Sequence, residues 1–165
     1  MSNVFFFLCQ FSILAYAIVA GVFLAFSDFI MRSLTLTDGH GGLEAMQAIN
    51  REVFRWVFMT LFLGMATVSI ALAIFGALFL SGPAGTLIML AGFVYLTGSF
   101  GVTVFCNVPM NETLAGLDVS LDTTRDYWLQ TYVPRWTFWN SVRTFACAVS
   151  AALVLFGVLL TKQTQ

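Results

Sequence analysis

Two stretches far apart in the chain carry amides, an arginine and indole rings at helical spacing. In NVPMN, Asn107 and Asn111 stand four residues apart and share a helix face. In WTFWNSVR, Trp136, Trp139, Asn140 and Arg143 follow i, i+3, i+4, i+7, again one face. Gln47, Asn50 and Phe54 form a third set, and Asp28 with Arg32 a fourth, with the acid four residues ahead of the base as a helical ion pair prefers. Amide and guanidinium N–H groups donate to carbonyl or phenolate oxygens, and indole faces stack on flat rings. Together such groups could enclose a flat aromatic molecule bearing oxygen. In a reaction, Asn107, Asn111 and Asn140 would hold oxygens with Arg143, Trp136 and Trp139 would form the slot, and Asn50 would also bind substrate. Asp28 is the carboxylate best placed to act as base, with Glu112 next.

Each group also has a plainer role. Asp28 and Arg32 suit a simple surface pair, the amides beside Pro109 suit backbone groups freed by the proline, and the indoles suit the aromatic belt of a membrane protein. His40, flanked by Gly39, Gly41 and Gly42, reads as a solvent-exposed loop histidine.

The elements that must position these residues are membrane spans. Of 165 residues 59% are hydrophobic and 9% charged, against roughly 25% charged in a soluble domain. Four segments reach the roughly 20 apolar residues that a crossing needs: 4–26, 56–80, 84–106 and 142–160. Lipid offers the backbone no partners, so all four must be helices. The expected fold is all-α, a single four-helix membrane domain over 1–165 with helical extensions on one side. Six of the seven basic residues fall in or beside the two loops that emerge on that side, and Lys162 on the other. The positive-inside rule makes the charged side cytoplasmic and turns both termini outward, as in a bacterial inner membrane. MSNVFFF carries no Lys or Arg, so it reads as a first span rather than a cleaved leader.

Three further expectations concern local structure. LEAMQAINREVFRW reads as helix running straight into the second span, about 58 Å from Gly42 to Leu80 at 1.5 Å per residue. Pro134 should break its helix near Val133. Small residues at Ala17, Gly21 and Ala25, and at Ser69, Ala73 and Ala77, should let spans approach closely.

The residue inventory disfavours several chemistries. One histidine cannot supply a bis-histidine haem, and no Glu/His cluster suggests a di-iron site. No phosphate loop, dinucleotide fingerprint or zinc-protease motif is present. Cys9, Cys106 and Cys147 lie in apolar runs with no CxxC and read as buried small hydrophobes. A net charge of −1 gives nucleic acid no basic patch. No cofactor is expected, with haem or metal on unobvious ligands left open. The expected partners are membrane lipids and a small aromatic molecule or lipid, with a homo-oligomer open.

FSDFIMRSL (26–34), AMQAIN (45–50), GVTVFCNVPMNETLA (101–115) and the W-x7-W-T-x-W-N-x-V-R-T run (128–144) resemble domain-of-unknown-function family 1772, the anthrone-oxygenase-like family of small four-helix membrane proteins. The resemblance covers about 20–152. Asn50, Asn107, Pro109, Asn111, Trp136, Trp139, Asn140 and Arg143 stand where the family motif has them. It implies a four-helix membrane fold and, for some fungal members, oxidation of anthrones to anthraquinones. Two functions of different class follow as expectations: a cofactor-independent oxygenase acting on a phenolic or anthrone-like substrate, or a non-catalytic protein gripping a lipid, a quinone-like ligand or a partner subunit.

Overall fold

The computed structural model describes residues 2–163 and contains no strand among them. Four helices are long and apolar enough to cross a membrane: α1 (Asn3–Thr35), α3 (Val57–Leu78), α4 (Gly82–Ala115) and α5 (Asp122–Thr161). A fifth, α2 (Gly41–Glu52), lies between the first two. The protein is thus an all-helical membrane bundle with helical extensions at one end. Ser2 starts it, its Oγ accepting the backbone N–H of Phe5 at 3.3 Å. Alternate crossings put the α1–α2–α3 connection and the α4–α5 loop at one end and the termini at the other. In that loop Asp118 accepts both the N–H and the hydroxyl of Ser120, which hold its carboxyl below the usual carboxylate range.

The helix expected to run unbroken from Gly42 to Leu80 is interrupted. Residues 53–55 leave it, and Arg55 is extended at φ −73°, ψ 141°. The turn is held by the Arg55 N–H on the Glu52 carbonyl at 2.9 Å and an ion pair between their side chains at 2.7 Å. The break lets α2 fold back under the bundle. Leu43 and Met46 are buried there in a small apolar cluster with Leu114, Trp128 and Tyr132. Gln47 fastens the arrangement by donating to the Leu114 and Leu117 carbonyls at 2.8 and 3.1 Å.

The break expected near Val133 does not occur; α5 runs through Pro134. A proline removes one N–H and its ring crowds the carbonyl four residues back. The chain answers by widening the preceding turn: the Val133 N–H reaches the carbonyl of Trp128, five residues back. α4 does the same before Pro109, where the Val108 N–H reaches Thr103. A third wide turn, Phe26–Ile30, occurs in α1 and a fourth, Leu96–Gly101, in α4. Such insertions rotate everything beyond them and often mark functional regions.

Glycines set α3 closely against α4. The turn joining them uses Gly82 at φ +71°, a conformation that a side chain disfavours. Just inside it, a Cβ on Gly76 would lie 2.6 Å from the Met89 nitrogen, and one on Gly92 would collide with the Ser69 carbonyl. Ser69 and Ala73 therefore do lie against a neighbour, but Gly76 takes the place expected of Ala77, which is exposed. On α1 the small stripe does not pack: Ala17 and Gly21 are exposed, and nothing lies within 4 Å of a Cβ on Gly21. Buried hydroxyls tie the centre. Ser69 donates to the Met65 carbonyl, so Tyr16 is the donor in the 2.6 Å contact between their hydroxyls. Tyr95 donates to the Phe62 carbonyl at 2.8 Å and Ser150 to that of Ala91 at 2.9 Å. Cys9 and Cys147 are buried and Cys106 partly so, all as free thiols.

These contacts separate two glycines. Gly92→Ala should destabilise the protein in detergent by about 1–3 kcal/mol through overpacking, whereas Gly21→Ala should change stability by less than about 0.5 kcal/mol. Thermal melting of the two purified variants compares them; equal melting points would refute the close α3–α4 packing.

Candidate ligand cavity at the charged end of the bundle

Where α1, α3, α4 and α5 meet α2, the bundle encloses a cavity of about 260 Å³. That lies just under the roughly 300–1,000 Å³ usual for small-molecule sites and suits a compact ligand. Its wall is mostly apolar, with aromatic rings from Phe23, Phe26, Phe58, Phe62 and Phe100. Its polar groups are few and come from three helices: Asn50 on α2, Thr103 and Asn111 on α4, and Asn140 and Arg143 on α5.

Arg143 dominates the electrostatics. It is 5% exposed. One terminal nitrogen donates to Asn140 Oδ1 at 2.6 Å and the other to Thr103 Oγ1 at 3.2 Å. The guanidinium carbon lies 4.1 Å from the centre of the Phe23 ring and 5.3 Å from that of Trp136. Ring faces attract a cation by about 0.5–2 kcal/mol. Its Nε–H has no acceptor, and no carboxylate pairs with it among the described residues. Of five N–H donors two are used. The positive charge faces a largely apolar cavity without a counter-ion.

A second network holds the amides. Asn111 Oδ1 accepts the Tyr132 hydroxyl at 2.8 Å and the Trp136 indole N–H at 2.9 Å. The Tyr132 hydroxyl in turn accepts from Asn50 Nδ2 at 3.2 Å. With its oxygen doubly engaged, Asn111 is fixed so that Nδ2, which has no partner among the described residues, remains a donor beside the cavity. Trp128, Tyr132 and Trp136 stack in a column, with centroids 5.3 and 6.3 Å apart, that stiffens this wall. Asn140 anchors α5 to α1, its Nδ2 donating to the Phe23 carbonyl and to Ser27 Oγ, each at 2.6 Å.

Asn50, Asn111, Trp136, Asn140 and Arg143 therefore converge, as their common depth suggests. Three others sit elsewhere. Asn107 is buried but outside the lining, its Nδ2 donating to the Trp136 carbonyl at 3.3 Å and fastening α4 to α5. Trp139 is half-buried outside the lining, its ring edge-on to Phe138. Asp28 and Arg32 are both exposed and make no ion pair among the described residues. Glu112 is exposed as well. His40 is half-buried rather than fully exposed, with Nδ1 unpartnered near Arg125 and Trp128. No carboxylate or histidine lines the cavity, and no three His, Cys, Asp or Glu side chains among the described residues group to hold a metal. Tyr132, Thr103 and Phe23 belong to the site without having been singled out. The i, i+4, i+8 aromatics of WLQTYVPRW were the signal for Tyr132; Thr103 and Phe23 had none.

An uncompensated buried charge destabilises a fold by several kcal/mol, about as much as the two charged hydrogen bonds of Arg143, roughly 1.5–3 kcal/mol each, and its two ring contacts return together, while a methionine there adds apolar burial. Arg143→Met should therefore melt at the same temperature as the wild type or higher in detergent. A marked fall would mean that Arg143 serves the fold.

A family model described as anthrone oxygenase matches residues 51–153, more than half of the chain. The match takes in α3, α4, the column of stacked aromatics and Arg143, and leaves α1 and most of α2 outside. No curated protein and no solved structure matches the chain. On the family match and the four apolar spans together, the chain belongs to the anthrone oxygenase family.

Proposed function

We propose that the cavity binds a flat, oxygen-bearing aromatic molecule as its enolate or phenolate, and that the protein is an oxygenase of anthrone-like substrates. The observation that carries this reading is Arg143: a buried guanidinium with donors to spare and no carboxylate partner, facing an apolar cavity. In a low-dielectric site such a charge favours an oxyanion far more strongly than water does. Asn111 Nδ2 supplies a second donor to substrate oxygen, and the ring of Trp136 a face for stacking.

The chemistry follows from what the cation favours. An anthrone has an acidic CH₂ flanked by two rings and opposite a carbonyl. Loss of one proton places the electron pair in the π system, with most of the charge on oxygen, where Arg143 would hold it. With no carboxylate or histidine in the lining, the proton is left to water. The protein's part is to stabilise the anion and orient it. The electron-rich carbon then reduces dioxygen and forms a C–O bond. Breaking the O–O bond with loss of water leaves the new carbonyl, so one oxygen atom enters the quinone and the other becomes water, with no outside reductant.

A second reading, a ligand-holding protein without turnover, is supported by that same lack of a base in the lining. The test separates the two. Purified protein in lipid discs, mixed with anthrone under air, should raise quinone absorbance above empty discs, with matching oxygen uptake. Arg143→Met should lower the rate about tenfold to a hundredfold, the worth of one charged hydrogen bond. Binding of anthrone without oxygen uptake would favour the holding reading, and full activity in Arg143→Met would sink both.

A further inference from the structure

The cavity's polar and apolar residues differ in where they sit. Its polar residues are buried (Asn50, Asn140 and Arg143) or half-buried (Thr103 and Asn111). The exposed lining residues are Phe54, Leu63 and Val104, all apolar. Leu63 on α3 is 50% exposed and Val104 on α4 41%, so the lining reaches the outer surface at the seam between these two helices.

This seam is open for a reason visible in the packing. α3 and α4 are pressed together near their shared turn by Gly76, Gly85 and Gly92. The last hydrogen bond between them toward the charged end is Tyr95 to the Phe62 carbonyl, and the last ring contact joins Phe62 and Phe100 at 6.0 Å. Beyond it the wide turn Thr103–Asn107 alters the course of α4, and α3 ends at the break of residues 53–55.

At Leu63 and Val104 the opening also lies at lipid depth, whereas Phe54, beside Arg55, lies at the charged end. Leu63 stands eight residues beyond the exposed Arg55, and Val104 eight before the exposed Glu112. At 1.5 Å per residue each is about 12 Å along its helix from the nearest charge, well inside the roughly 30 Å hydrocarbon layer.

We propose that the ligand of this site enters from the bilayer, through the seam between α3 and α4 rimmed by Leu63 and Val104, as an uncharged, membrane-dissolved polycyclic phenol or ketone. An anion would lose its hydration at such a rim without gaining a partner. The neutral form passes it, and ionisation follows only beside Arg143. The substrate class is thereby narrowed to hydrophobic ring systems without carboxylate, sulfonate or sugar groups. This rests on the anion-binding reading of the cavity.

The test uses the full chain in lipid discs and stopped-flow quenching of tryptophan emission, with 1,8-dihydroxyanthraquinone as probe. Leu63→Phe/Val104→Phe narrows the rim on an exposed face, and Leu78→Phe, 72% exposed at the far end of α3, serves as control. The expected result is association about tenfold slower in the double variant, within the range over which mutation shifts on-rates, with release slowed in proportion and the control unchanged. A sulfonated anthraquinone should not quench. Unchanged association in the double variant, or equal quenching by the sulfonated probe, would overturn the lateral route and leave the site itself standing. Absence of quenching by either probe in the wild type would overturn the site and the route together.

Discussion

A guanidinium taken out of water without a carboxylate beside it is the constraint around which the charged end of this bundle is arranged. Each neighbour of Arg143 answers part of it. Asn140 offers an oxygen, Thr103 a hydroxyl, and Phe23 and Trp136 the negative faces of their rings. None of these is an anion. The neutral partners hold the side chain in place and leave its charge uncancelled. Asn140 is itself held by the Phe23 carbonyl and Ser27 of α1, so the orientation of the cation is referred back to a second span. Such support is what keeps a binding group in one geometry before its ligand arrives.

The two ends of the molecule follow opposite packing rules. Near the α3–α4 turn, glycines bring backbones together and the Ser150 hydroxyl bonds from α5 to α4, the usual way for helices to associate where lipid is as apolar as the side chains. At the other end the helices spread, large aromatics replace glycines, and α2 closes the opening from below. The column of Trp128, Tyr132 and Trp136 carries stiffness there that close backbone contact supplies elsewhere. The cavity is the space between these two regimes.

Much of this was legible in the sequence. The four spans follow from hydropathy, because the bilayer fixes both the length and the conformation of a crossing. The shared depth of Asn50, Asn111, Asn140 and Arg143 follows from topology alone. Which way each side chain turns was harder to read. Trp139 differs from Trp136 by three residues and lies on the flank, a difference of helix rotation that a four-residue pattern does not resolve. Asp28 and Arg32 carry the spacing of an ion pair, yet both side chains are exposed and unpaired with each other. Widened turns leave only a faint trace in sequence: a proline marks those before Pro109 and Pro134, and nothing evident marks the one at Phe26–Ile30. The break at residues 53–55 was hidden for a related reason. Val53, Phe54 and Arg55 are ordinary in a helix, and it is the burial of Leu43 and Met46 beneath the bundle that favours bending there.

The widened turns also set how the chain can vary in length. Each holds one residue more than a regular turn needs, and one residue of α-helix corresponds to about 100° of rotation. Removing a single residue between Trp128 and Tyr132 would let that turn close into ordinary helix with the residues on either side nearly in place, whereas removing one from the regular helix between Trp136 and Asn140 would swing the rest of α5 by about that angle relative to the residues before it. The span would still cross the membrane, with its hydropathy and length hardly altered, but Asn140 and Arg143 would lose their bearing toward Phe23 and Thr103. The spacing between the stacked rings and the arginine is thus a count that the polar end cannot give up, while the lipid would not register its loss.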